Sequence, residues 1–80
     1  MAKKQIRFYE LKQDIPYVLP ELGNVEEEVF DYLNNESAAT ERNIISNCRD
    51  WTPMQVRAAI RGLLNMHLID SRNASLESDE

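Results

Sequence analysis

The stretch Trp51–Arg72, WTPMQVRAAIRGLLNMHLIDSR, constrains the fold more than any other part of the chain. It holds a helix start, a helical apolar period and a strand-like ending in one continuous run. Thr52 is a good N-cap, Pro53 suits the first helical position, and Gln55 falls where a capping box takes Glu or Gln. At 100° per residue, Val56, Ala59, Ile60, Leu63 and His67 share one side, which a small domain needs for its core. Met54, Ala58, Arg61 and Asn65 share the other, with Gln55 and Arg57 on its flanks. Leu68-Ile69-Asp70-Ser71-Arg72 then reads as a short strand.

Two shorter helices precede this one. Asn24 caps the first, from Val25 to about Asn34, with three glutamates in the first turn where the helix dipole favours them. Its apolar side is Val25, Val29, Tyr32 and Leu33, with Phe30 at the margin. After a loop, NNESAAT, Thr40 caps a second helix, ERNIISNC, which buries Ile44, Ile45 and Cys48. Arg49-Asp50 make a turn, and Trp51 drops into the core beside it.

The ends of the chain are less regular. Residues 5–12, QIRFYELK, alternate as a strand does, although Ile6 and Tyr9 also fit a short helix. The prolines make DIPYVLPEL extended, and its apolar groups must pack on their own domain or across a dimer axis. The last eight residues, NASLESDE, are polar and acidic and are expected to fray. The expected organisation is an N-terminal arm over 1–21, a helical domain over 22–72 and a disordered acidic tail over 73–80. Eighty residues allow one small domain, mainly α with a small β component.

Charge narrows the function. The net charge is −5, which taken alone argues against nucleic acid. Its distribution is polarised, however. Residues 21–36 hold Glu21, Glu26, Glu27, Glu28, Asp31 and Glu36 with no base, and Glu77, Asp79 and Glu80 end the chain. Residues 41–72 carry Arg42, Arg49, Arg57, Arg61 and Arg72 against three acids, and the first twenty residues are also mildly basic. One cysteine excludes an internal disulfide and suits a reducing compartment. The opening MAKKQIRFYE lacks a secretory apolar segment, and no apolar run reaches spanning length, so a cytoplasmic protein is expected.

The succession of helix, helix, turn, helix and strand resembles the helix-turn-helix half of winged-helix proteins. MarR- and GntR-type regulators share the pattern of a short helix, a turn with one buried apolar residue, a Ser or Thr cap, then V-x-x-A-[IL]-x-x-L and a Leu-Ile strand. Here that segment is T-P-M-Q-V-R-A-A-I-R-G-L-L-N-M-H-L-I, and the small PapI-type switch regulators are similar in size. The resemblance covers residues 24–72 and implies a three-helix, winged-helix-like domain with an N-terminal extended arm or strand.

Three features depart from that pattern. The turn before Thr52 is one residue longer than the commonest form. His67 stands where the family often has Gly, so a left-handed helix end there carries a steric cost. Too few residues follow Arg72 for a full wing, which leaves the N-terminal strand to pair with residues 68–72 instead.

The resemblance implies that helix 52–67 enters a major groove of double-stranded DNA. Gln55 would contact adenine, Arg57 or Arg61 a guanine edge or phosphate, and Asn65 the backbone. Ala58 and Gly62 would let the helix approach closely, and Met54 suits a thymine methyl. Arg42 and Arg49 would clamp phosphates with help from Thr40 and Thr52, and Lys3, Lys4 and Arg7 of the arm would do the same. The plainer account is that each arginine merely solubilises an exposed face. Trp51 is better placed for the core than for base stacking. His67 and Cys48 do not make a zinc signature.

There is no glycine-rich phosphate loop, activated nucleophile or converging acid pair. The sequence therefore reads as a binding protein rather than an enzyme, with no cofactor and no metal. The first expectation is a small DNA-binding regulator, dimeric through residues 5–20. The second is an interaction module for a protein of the transcription or replication machinery, favoured by the acidity, the missing wing and Met54. Nucleic-acid mimicry by the acidic helix and tail is a third, with little support from the spacing of its carboxylates.

Overall fold

The computed structural model describes residues 4–15 and 18–76. Its elements run β1 (Lys4–Leu11), α1 (Asn24–Asn35), β2 (Ala39–Thr40), α2 (Glu41–Asn47), α3 (Pro53–Asn65) and β3 (Ile69–Leu76). Three helices share the molecule with a three-stranded antiparallel sheet in the order β2-β1-β3, so the fold is mixed α/β. This corrects the expectation of a mainly α domain. The difference comes from the two ends of the chain, where β1 and β3 pair over eight residues each, from Lys4↔Leu76 to Leu11↔Ile69.

Residues 4–11 of the expected N-terminal arm are therefore the middle strand of the sheet. Its far edge is also held, at Phe8↔Thr40 and Tyr9↔Ala39, by two residues of the segment read as loop. The strand expected over 68–72 starts at Ile69 and continues to Leu76, so residues 73–76 are ladder rather than frayed tail. Partnering explains the difference: Asn73-Ala74-Ser75-Leu76 has weak strand propensity alone, but β1 supplies a complete ladder opposite it.

Period two sorts the sheet's side chains. Tyr9, Ala39 and Ile69 are buried beneath the helices, and Leu11 packs against the same cluster. Ile6, Phe8, Glu10, Asp70 and Arg72 share the opposite, open face. On it Glu10 stands directly across from Asp70, a like-charge pairing that costs energy alone. Two ion pairs offset it: Arg72 Nη2 to Glu10 Oε1 at 3.5 Å, and Lys12 Nζ to Asp70 Oδ1 at 3.6 Å.

The ladder also has a definite parity. Lys12 N–H donates to the Leu68 carbonyl at 3.1 Å, in register with Leu11↔Ile69. Antiparallel pairs alternate between bonded and non-bonded, so Asp70 and Arg72 exchange backbone bonds with β1. Ile69, Ser71 and Asn73 turn their N–H and C=O groups to the outer edge of β3, which no described strand covers.

Helices α1 and α3 close the core over the sheet. Val29, Leu33, Ile44, Val56, Ile60, Leu63 and Leu68 are almost wholly buried. Each such side chain contributes roughly 1.5–3 kcal/mol by leaving water. Several expected details hold: Thr40 Oγ1 accepts from Asn43 N–H at 3.2 Å, and Cys48 is buried. Others shift. Gly23, not Asn24, is the N-cap of α1, and Glu26 Oε1 accepts the Gly23 N–H at 2.9 Å.

Ile15 and Leu22 pack on the core, as expected of the segment between β1 and α1. Val18 is 77% exposed, against the expectation that its apolar groups all find cover. Pro16 and Tyr17 of that segment lie outside the described residues.

Candidate nucleic-acid interface

The third helix begins as the sequence dictates. Thr52 Oγ1 accepts from Gln55 N–H at 3.1 Å, Gln55 Oε1 accepts from Thr52 N–H at 2.9 Å, and Pro53 opens the helix. Gln55, the expected adenine reader, and Thr52, expected to assist at phosphates, are thus both engaged in the capping box. Gln55 keeps its two amide N–H donors and one lone pair of Oε1 for a ligand.

The helix ends at Asn65, two residues short of the expected span. His67 takes φ 59°, its N–H donates to Leu64 O at 3.0 Å, and Leu68 N–H donates to Leu63 O at 3.1 Å. The left-handed end foreseen at this position is formed, and it throws the imidazole outward. His67 is exposed rather than part of the buried side.

Along the outer side, Met54, Arg57, Ala58, Arg61 and Asn65 are all exposed. Met54 is 77% accessible. The arginines differ in their surroundings. Arg57 Nε donates to Glu41 Oε2 at 2.7 Å, a short charge-assisted bond that ties α3 to the first residue of α2. Its terminal Nη groups have no hydrogen-bond partner among the described residues. No described carboxylate pairs with Arg42 or Arg61. Arg49 Nε donates to Ser46 O at 3.3 Å, which holds its side chain along the end of α2.

Gly62 has a different role from the one expected. A Cβ there would collide with Glu26 Oε2 of α1, so the missing side chain admits a carboxylate from the same molecule. Ala58 likewise lines a shallow groove between the two helices, of about 370 Å³, with Val25, Glu26, Gln55 and Ala59. Gly62 therefore serves the contact with α1, while Ala58 stays exposed at the rim of the groove.

Sequence reasoning passed over Glu26, Glu28 and Glu41, each of which lies against α3 or the turn before it. The sequence places residues 26 and 28 only in an acidic first turn that suits the helix dipole. Spacing alone does not reveal that Glu28 Oε1 accepts the Trp51 indole N–H at 3.0 Å. Trp51 sits half-buried at the rim of the core rather than within it. The strip of outward residues is thus bordered by carboxylates: Glu26 on the α1 side and Glu41 on the α2 side.

A second groove, of about 600 Å³, lies where β1 passes the start of α2 and includes Arg7, Arg42 and Glu41. Lys3 lies outside the described residues. Among the described residues no three His, Cys, Asp or Glu side chains converge as a metal site, and no helix is long and apolar enough to cross a membrane. The chain matches no family model, no curated protein and no solved structure.

Proposed function

We propose that the chain is a small DNA-binding protein that lays the outer side of α3 along a duplex. What supports this is one uncovered helix side that carries Met54, Arg57, Ala58, Arg61 and Asn65 together. Bracing by Glu41 lowers the entropy lost when Arg57 engages a phosphate or a guanine edge, because one guanidinium nitrogen is already held. Arg42 and Arg49 extend the positive surface onto α2 and the turn. The role is binding without catalysis, in the cytoplasm.

Fluorescence anisotropy of a labelled generic duplex, titrated at low and at physiological salt, tests it. Binding should weaken steeply with salt, with a slope of a few released counterions. Arg57→Ala with Arg61→Ala should abolish it while the circular dichroism spectrum stays unchanged. No binding at low salt would sink the DNA reading.

A second reading, docking of a protein partner, is favoured by Met54. An exposed methionine beside a groove lined by Val25, Ala58 and Ala59 suits an apolar side chain of a partner. Glu26 at the same groove disfavours a phosphate backbone. Under this reading Met54→Ser removes partner binding, and the duplex titration is flat at every salt concentration.

A further inference from the structure

We propose that β3 is a self-pairing edge, and that two copies of the chain join there into one continuous six-stranded sheet. An edge strand of eight residues is a template for another strand, and monomeric proteins usually blunt such edges with prolines, bulges or short strands. Neither a proline nor a bulge interrupts Ile69–Asn73, and its two charges, Asp70 and Arg72, are of opposite sign and so can pair with a second copy. Among the described residues nothing pairs with the outward N–H and C=O groups of Ile69, Ser71 and Asn73.

The partner is a second copy because the edge is complementary to itself. Two β3 strands running antiparallel about a two-fold axis at Ser71 place Ser71 opposite Ser71 and Ile69 opposite Asn73. All of these residues turn their backbone groups outward, so the ladder bonds form in phase. The same register sets Asp70 of each copy directly opposite Arg72 of the other, as a non-bonded pair with close side chains.

These residues already stand in alternating order within one chain, Lys12 with Asp70 and Glu10 with Arg72. Pairing therefore links Lys12, Asp70, and the second copy's Arg72 and Glu10 into one row of alternating sign, twice over. A centre moved one residue, to Asp70 or Arg72, would instead put like charges face to face. The contact leaves the outer side of α3 untouched and does not require it to bind DNA.

Sedimentation velocity on the full chain, up to about 1 mM so that even weak association registers, is the test. The chain should dimerise reversibly. Ser71→Pro removes an outward N–H without touching the ladder to β1, so the variant should keep its circular dichroism spectrum. It should also weaken the dimer at least roughly tenfold, because two bonds on the axis are lost. Arg72→Asp should weaken it as well, and adding Asp70→Arg should recover part of the loss, because the cross-copy pair returns while the pairs to Lys12 and Glu10 within each copy do not. A chain that stays monomeric throughout, or a dimer unaffected by a folded Ser71→Pro, would overturn the proposal.

Discussion

The indole N–H of Trp51 donates to Glu28 Oε1 at 3.0 Å, and this bond ties the turn between α2 and α3 to the middle of α1. Both side chains are half-buried, so the carboxylate is only partly screened by water. Glu28→Ala should cost about 1–2 kcal/mol in urea unfolding, because the indole donor is left at the rim of the core without an acceptor. Glu28→Gln keeps an acceptor oxygen and should cost less than half as much. Trp51 is the single tryptophan, so its fluorescence reports the change directly. Equal losses in the two variants would show that the charge of Glu28 matters rather than its acceptor.

His67 closes α3 at φ 59°, in the left-handed region that residues with a Cβ enter at a cost. Its imidazole is exposed, so replacing it removes no packing. His67→Gly should therefore stabilise the fold by about 1 kcal/mol, visible as a higher urea midpoint at unchanged slope. His67→Val should destabilise it, because β-branching makes the left-handed region less accessible still. A neutral His67→Gly would mean that strain at this position does not limit stability.

Glu26 and Gly62 share one space. Gly62→Ala gains helix propensity, worth about 1 kcal/mol, but pushes away the Glu26 carboxylate that also accepts the Gly23 N–H. Since the colliding atom ends a flexible side chain, the two effects should nearly cancel in the parent protein. With Glu26→Ala already present the obstacle is gone, and Gly62→Ala should then yield the full gain. A double-mutant cycle measures this as a coupling of about 1 kcal/mol. Additive effects would show that Glu26 does not constrain position 62.

Elements governed by local rules were legible in the sequence. The start of α3 was, because a cap, a proline and a capping-box glutamine are contiguous. Its end was legible only in part: a left-handed cap at His67 is foreseen as costly, whereas the period carries the helix to residue 67 with the imidazole on the buried side. The balance between helix and sheet was not, because residues 73–76 of β3 have weak strand propensity and the β1–β3 ladder is made by pairing across sixty-odd residues. The candidate site divided along the same line. Which residues of α3 face outward followed from its period, whereas the tertiary partners Glu41 for Arg57 and Glu26 for Gly62 depend on how the helices cross. The pairing of the N-terminal strand with the end of the chain, expected from the shortage of wing residues, is the long-range feature that was foreseen.

Cys48 and Tyr32 give the fold an alkaline limit. Burial pushes the Cys48 thiol above its ordinary value of 9.0, with the negative charge of Glu28 adding to it. Burial also raises Tyr32 above 10.0, followed by the charges of Glu36 and of Cys48 itself. In each case the unfolded chain loses its proton first. Stability is thus fully present below the ordinary value and falls as pH rises from there through the folded pKa. The chain should hold a constant urea midpoint from pH 7 to about 8.5, then lose stability progressively, first through Cys48 and then through Tyr32. Cys48→Ala should move the onset up towards the tyrosine range, although at neutral pH it costs a little packing. In the parent protein at pH 8 the buried thiol should react with a disulfide reagent only as fast as the protein opens. Rapid labelling of the folded chain, or an onset unmoved by Cys48→Ala, would show that the thiol is not what sets the limit.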